Sequence, residues 1–256
     1  MTYRIVNIIT AVLLVCLLVA NHFISVPWWV LVLVIWAYVS IVVIGCIRVS
    51  SGFFLPVLCK ADTIDKVVAL TFDDGPHTAF TPQILNVLKE NNVQATFFCI
   101  GKNIAGNEAV LCRIKNERHI IANHSFSHDF WFDLFGSDKM LADLQRMDVE
   151  VTKVVDLKPS LFRPPYGVTN PNLKKAIVNG NYTPIGWSIR SMDTVAKDKQ
   201  KLINRITQGI TAGDIILLHD SIAMTAEILP ELITEIKQKG FRIEALDKML
   251  NIQAYA

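Results

Sequence analysis

Charge is almost missing from the front of this chain. From Met1 to Ile47 the only Asp, Glu, Lys or Arg is Arg4, although the 256-residue sequence carries a net +2. That excludes an ordinary soluble N-terminal segment. The runs IVNIITAVLLVCLLVA and WWVLVLVIWAYVSIVVIGCI are each long enough, with their flanks, to cross about 30 Å of hydrocarbon as a helix. Between them NHFISVP supplies polar residues and the helix-stopping Pro27, so a transmembrane hairpin is expected near residues 5–24 and 28–47. The Trp28-Trp29 pair fits an interfacial anchor. No A-x-A-like site follows the first run, and a second apolar run comes at once, which favours two retained helices over a cleaved signal peptide.

Cysteine is scarce and unpatterned. Cys16 and Cys46 lie in the apolar runs, Cys59 follows them, and Cys99 and Cys112 match neither a disulfide framework nor a zinc knuckle. Repeats, low-complexity tracts and long charge blocks are absent as well, and no nucleic-acid partner is expected. From about Ala61 the composition becomes ordinary. The chain therefore divides into a hairpin (1–50), a linker (51–64) and one domain (65–256).

In that domain strand-like runs alternate with helix-like ones. KVVALTF, ATFFCIG, HIIANH, SLFRPPY, TPIGWSI, DIILLHD and GFRIEAL read as strands. Helix starts are signalled by Thr81-Pro82, Ser137 and Asn170-Pro171. Such β/α alternation implies a parallel sheet or barrel with its active groups at the C-terminal strand ends. Polar clusters fall there: Asp73-Asp74, His124 to His128 (HSFSH), Arg163 to Gly167 (RPPYG), Trp187 to Asp193 (WSIRSMD) and Leu217 to Asp220 (LLHD). A lone D-D-G-P would be only a turn. Two histidines four apart at the same barrel end argue for more.

The ordered set TFDDGP, HSFSH, RPPYG, WSIRSMD and LLHD resembles the polysaccharide deacetylases of carbohydrate esterase family 4, which carry the NodB homology domain. The resemblance covers nearly all of the chain after the hairpin. It implies an α/β fold, a distorted (β/α) barrel of the NodB type. It further implies that Asp74, His124 and His128 hold a divalent metal, most often zinc, with Co2+, Ni2+ or Mn2+ as alternatives. Two imidazoles and a carboxylate suit such a metal and leave a coordination position open. By the same matching Asp73 is the general base, Arg163 its orienting partner, the Tyr166 N–H an oxyanion donor, and His219 the general acid. Trp187 and Leu218, with Tyr166, would line the pocket for the acetyl methyl.

One position departs from the family pattern. Arg190 stands where many members have an aspartate that tunes the acid histidine, and a cation there would lower the His219 pKa, with Asp193 as a possible replacement. The aromatic segment FWFDLF, Phe130 to Phe135, is expected to put at least half its rings into the core, with some of the others free to stack on a sugar face or touch the bilayer.

The expected activity is removal of the acetyl group from an N-acetylated amino sugar of a polysaccharide or cell-wall glycan by a membrane-anchored metalloenzyme. A deformylase or deacetylase of a lipid-linked sugar is the alternative, ahead of a non-catalytic glycan-binding protein. The expected partners are the glycan or lipid-linked sugar and the lipid bilayer. Sidedness is in conflict: Arg4, Arg48 and Lys60 flank the hairpin, which favours a cytoplasmic domain, whereas the resemblance implies an extracytoplasmic one. The latter is the expectation adopted.

Overall fold

In the computed structural model, which describes residues 2–256, two long helices precede an α/β domain. The helices are α1 (Tyr3–Phe23) and α2 (Trp28–Ile47), joined by a short turn that includes Pro27. Both are long and apolar enough to cross a membrane, and only 6% of each apolar window is buried by the rest of the protein. A hydrogen bond from the Tyr38 hydroxyl to Asn7 Oδ1 at 3.0 Å ties the two helices together. The segment that follows is packed against the domain: Phe53, Phe54 and Leu55 are buried, and the Leu58 N–H donates to the Pro184 carbonyl at 3.0 Å.

The domain runs β1 (Val67–Asp73), α3 (Phe80–Glu90), β2 (Thr96–Cys99), α4 (Glu108–Asn116), β3 (Ile120–Asn123), α5 (Ser137–Val155), β4 (Leu161–Phe162), α6 (Pro171–Gly180) and β5 (Thr183–Pro184). It continues with β6 (Ile189–Arg190), α7 (Lys199–Thr207), β7 (Ile215–His219), α8 (Ala223–Gln238), β8 (Arg242–Ile243) and α9 (Leu246–Leu250). Every pairing is parallel, in the order β5-β4-β3-β2-β1-β7-β6, with β8 beside the start of β1.

Two expectations change in detail. TPIGWSI is not one strand: its first part pairs with β4 at one sheet edge and its last part with β7 at the other. A single run of chain thus spans the mouth of the half-barrel. The break lies at Gly186, where a Cβ would meet the Cys59 sulfur at 2.4 Å and the carbonyl is taken by Arg163 Nη2 at 2.8 Å rather than by a neighbouring strand. Helix α3 begins at Phe80, so Thr81 lies within its first turn instead of ahead of it. The Thr81 hydroxyl accepts the His77 N–H at 2.8 Å and donates to Asp220 Oδ2 at 2.6 Å. The signal at α6 holds as read, because Asn170 Oδ1 accepts the Leu173 N–H at 2.8 Å.

Strand alternation sorts the side chains into two layers. Val68, Leu70 and Phe72 of β1, with Ile216 and Leu218 of β7, face the outer helices in the main core. Ala69 of β1 and Ile215 of β7 face inward with Phe98 and Leu246, where α9 closes the floor of the half-barrel. Thr71, Asp73 and His219 continue that inward row, so the polar groups stand directly above an apolar floor.

Candidate active site

The site is assembled from five strand ends. Asp73 is the last residue of β1, pointing inward and 3% exposed. Asp74 lies just beyond it with φ +77°, a left-handed conformation that ends the strand's alternation. Without that turn the two carboxylates would point to opposite faces; with it both enter one pocket. His124 Nε2 lies 3.8 Å from Asp73 Oδ2 and 3.7 Å from Asp74 Oδ1, and His128 Nε2 lies 3.6 Å from the same Asp74 oxygen. Asn103 Nδ2 fixes the turn by donating to the Asp74 carbonyl at 2.9 Å.

The HSFSH loop is held by one of its own serines and by two groups outside the motif. Asn123 Oδ1 accepts the Ser125 N–H, Asp143 Oδ1 accepts the Phe126 N–H, both at 2.8 Å, and Ser125 Oγ accepts the His128 N–H at 2.9 Å. His124 Nδ1 stands 2.8 Å from the Arg163 carbonyl oxygen. A carbonyl only accepts, so Nδ1 carries the proton and the Nε2 lone pair faces Asp74. Burial, aided by the neighbouring His128, lowers the His124 pKa to about 3, and burial likewise lowers that of His128. Both rings are neutral near pH 7. Ligand atoms of Asp74, His124 and His128 all lie within 4.8 Å of one another. Two neutral imidazole nitrogens and a carboxylate oxygen at that spacing fit a divalent metal.

Arg163 is completely buried, stacked 4.0 Å over the Phe98 ring. Its Nη1 donates to Asp73 Oδ1 at 2.7 Å and to Thr71 Oγ1 at 2.9 Å, leaving Asp73 Oδ2 directed at the pocket. Burial raises the Asp73 carboxyl above its usual range, and the pull of Arg163 only partly offsets this.

On the far side His219 Nδ1 meets Asp193 Oδ1 at 2.7 Å, while the His219 N–H donates to Asp193 Oδ2 at 2.7 Å. The Thr225 hydroxyl donates to that second oxygen at 2.6 Å. Burial would lower the imidazole, but the hydrogen bond and charge of Asp193, with Asp73 and Asp74 behind it, outweigh burial and lift it to about 8. Arg190 is exposed in the pocket rim, and among the described residues His219 has its side-chain hydrogen bond with Asp193, not with Arg190. The partner of the imidazole is therefore Asp193. The lowered pKa expected from Arg190 is reversed, because a hydrogen-bonded buried carboxylate acts far more strongly than a solvated guanidinium.

Leu218 is also displaced from its expected place. It is fully buried on the helix-facing side of β7, while Leu217, two residues from His219 and so on the same face, lines the pocket. That i, i+2 relation was available in LLHD and points to Leu217. Trp187 and Tyr166 do border the pocket, a space of about 280 Å³. Tyr166 has φ +57°, and a Cβ on Gly167 would strike the Trp187 ring at 2.5 Å, so the RPPYG turn and the indole interlock. Asp220 lies beneath the pocket, fully buried, with its pKa pushed up to about 7 by burial. Its carboxylate occupies the space a Cβ at Gly75 would need, which accounts for glycine in DDGP.

A parallel α/β half-barrel that gathers such a metal-competent triad between an Asp–Arg pair and a His–Asp pair defines a hydrolase built for acyl-group removal. Residues 60–185 match the family model for polysaccharide deacetylase. A Bacillus cereus peptidoglycan-N-acetylglucosamine deacetylase is 32% identical over 186 residues, covering 71% of this chain and 67% of its own. The Bacillus subtilis peptidoglycan-N-acetylmuramic acid deacetylase PdaA is 31% identical over 195 residues, covering 74% and 73%. The crystal structure of the Bc1960 peptidoglycan N-acetylglucosamine deacetylase superposes with a TM-score of 0.73 at 29% identity, over 78% of this chain and 94% of that one. The chain belongs to the polysaccharide deacetylase family, carbohydrate esterase family 4, and is a hydrolase of carbon–nitrogen bonds other than peptide bonds.

Proposed function

We propose that this chain is a membrane-anchored, metal-dependent N-deacetylase of an N-acetylated cell-wall glycan. The observation that carries the reading is the convergence of Asp74, His124 and His128 in one pocket between Asp73 and His219. Asp74 and the Nε2 atoms of His124 and His128 would hold the metal, with zinc as the best match to the donor set. When bound, the metal supplies a Lewis acid that polarises the amide carbonyl and makes a water acidic near neutral pH.

The chain's own groups then divide the proton work. Arg163 orients Asp73, whose free Oδ2 takes a proton from the attacking water. The Tyr166 N–H donates to the oxygen that becomes negative as the carbonyl turns tetrahedral. Asp193 holds the His219 Nδ1 proton, so Nε2 faces the pocket and protonates the departing amine. The carbon–nitrogen bond breaks, giving acetate and the free amino sugar. Leu217 and Trp187 close on the acetyl methyl.

In this reading residues 1–50 anchor the protein, 51–64 connect, and 65–256 form the catalytic domain on the extracytoplasmic side, where glycans of the kind named for its relatives lie. Mass spectrometry of acetylated and formylated glycans, free and lipid-linked, after incubation with metal-loaded protein tests the activity. Loss of 42 mass units per acetylated sugar is expected; unchanged masses across the panel would sink the reading. A lipid-linked sugar is the second candidate substrate, favoured by the two apolar helices packed at the base of the domain.

A further inference from the structure

The loop that leaves the HSFSH motif is built inside out. Phe130, Trp131 and Leu134 are 71%, 60% and 74% exposed, more open than the acidic residues of the same segment, Asp129 and Asp133, which are both partly buried. Asp129 Oδ1 accepts the Trp131 N–H at 2.7 Å. Asn170 Nδ2 donates to the Asp133 carbonyl at 2.8 Å, Asn172 Nδ2 to that of Phe135 at 3.1 Å, and Phe132 is fully buried beneath. The loop is thus fixed in place with three large apolar side chains in the open.

Its position says what covers them. Thr169, next to Asn170, donates its N–H to the Cys46 carbonyl in the last turn of α2 at 2.9 Å. Phe132 and Phe135 pack in one cluster with Val6, Phe53, Phe54 and Cys46, at the base of the hairpin. Beside that base, Arg4, Lys174 and Lys175 rim a cleft of about 650 Å³ over Tyr3, Phe53 and Phe54, a basic edge suited to anionic headgroups. Exposed Trp and Phe on a loop rooted in the same apolar cluster as the hairpin base, where these cations stand, form the pattern of side chains seated at a membrane–water boundary. None of the three borders the pocket itself, which argues against sugar stacking. Phe130 nevertheless lies 6.3 Å from the Tyr166 ring, itself 4.8 Å from that of His128.

We propose that Phe130, Trp131 and Leu134 insert into the interface of the bilayer that holds the hairpin, and that this docking sets the pocket mouth at the membrane surface, where it takes membrane-tethered glycans. The inference rests on the reading of α1 and α2 as a membrane anchor. The full chain is reconstituted in phosphatidylcholine–phosphatidylglycerol vesicles, and the Trp131 fluorescence is taken as the difference between wild type and Trp131→Phe. Brominated acyl chains quench that component if the loop is inserted; an unquenched Trp131 in vesicle-bound protein overturns the docking. Release of the wild-type chain from vesicles by alkaline carbonate would instead overturn the anchor. The combined Phe130→Ser, Trp131→Ser, Leu134→Ser variant should deacetylate a lipid-linked acetylated glycan in vesicles about ten-fold more slowly while keeping its rate on a short water-soluble oligosaccharide. Equal losses on both substrates would assign the loop to sugar stacking and overturn docking, as would equal retention on both.

Discussion

His124 and His219 face each other across one pocket, each with Nδ1 in a hydrogen bond and Nε2 directed at the centre, yet they differ in charge. His124 is backed by the Arg163 carbonyl and is buried, with a pKa of about 3; His219 is backed by the Asp193 carboxylate, with a pKa of about 8. A neutral acceptor fixes a tautomer and leaves a lone pair for a metal. An anionic acceptor fixes the same tautomer and keeps a proton for a leaving group. The same amino acid thus serves opposite ends of one reaction because of the group behind it.

The largest break in this comparison should come from the metal side. Asp74→Ala or His124→Ala is expected to lose bound metal, seen by elemental analysis, and turnover should fall to background; chelation should do the same and added zinc reverse it. Asp73→Asn sharpens the contrast between adjacent carboxylates. It should keep the metal while losing about 10²–10⁴-fold in kcat. Equal metal contents in Asp73→Asn and Asp74→Ala would refute the division between them.

On the proton-donor side, the rate should fall as pH rises through about 8, when His219 loses its proton. Asp193→Asn should move that alkaline limb down by at least about one pH unit, since the buried carboxylate is what raises the imidazole. The same shift carries a stability consequence. Because the folded value exceeds the unfolded one, the contribution is fully present below about pH 6.5 and is lost as pH rises through the folded value. A thermal melt followed from pH 6 to 9 should show this decline in wild type and a flatter profile in Asp193→Asn.

The two leucines of LLHD test which face of β7 is which. Leu218→Ala should destabilise the fold by about 2–5 kcal/mol, measured by denaturant unfolding, with KM little changed. Leu217→Ala should leave a larger acyl pocket and alter the preference between acetyl and bulkier acyl substrates. The smallest effect is expected for Arg190→Asp, which should move the alkaline limb by no more than about 0.3 unit because an exposed charge is screened by solvent. A larger movement would bring Arg190 back as a partner of His219.

Much of this architecture is local and therefore legible in the chain. Helix α2 spans Trp28–Ile47 as the apolar run implied, α5 spans Ser137–Val155, and Asn170 caps α6, because apolar runs and capping side chains act over a few residues. The order of the polar motifs at the strand ends was equally readable. What lies beyond local pattern is which groups meet across the barrel. The sequence set out Arg190 and Asp193 three residues apart with no means of ranking them; the packing of β7 and α8 put Asp193 between His219 and Thr225. The strand TPIGWSI was one run by periodicity, and the tertiary structure split it, since Arg163 from another strand end claims the Gly186 carbonyl. Residue type and strand alternation thus determined what each side chain offers. Only long-range packing decided its partner, and the partner sets the charge.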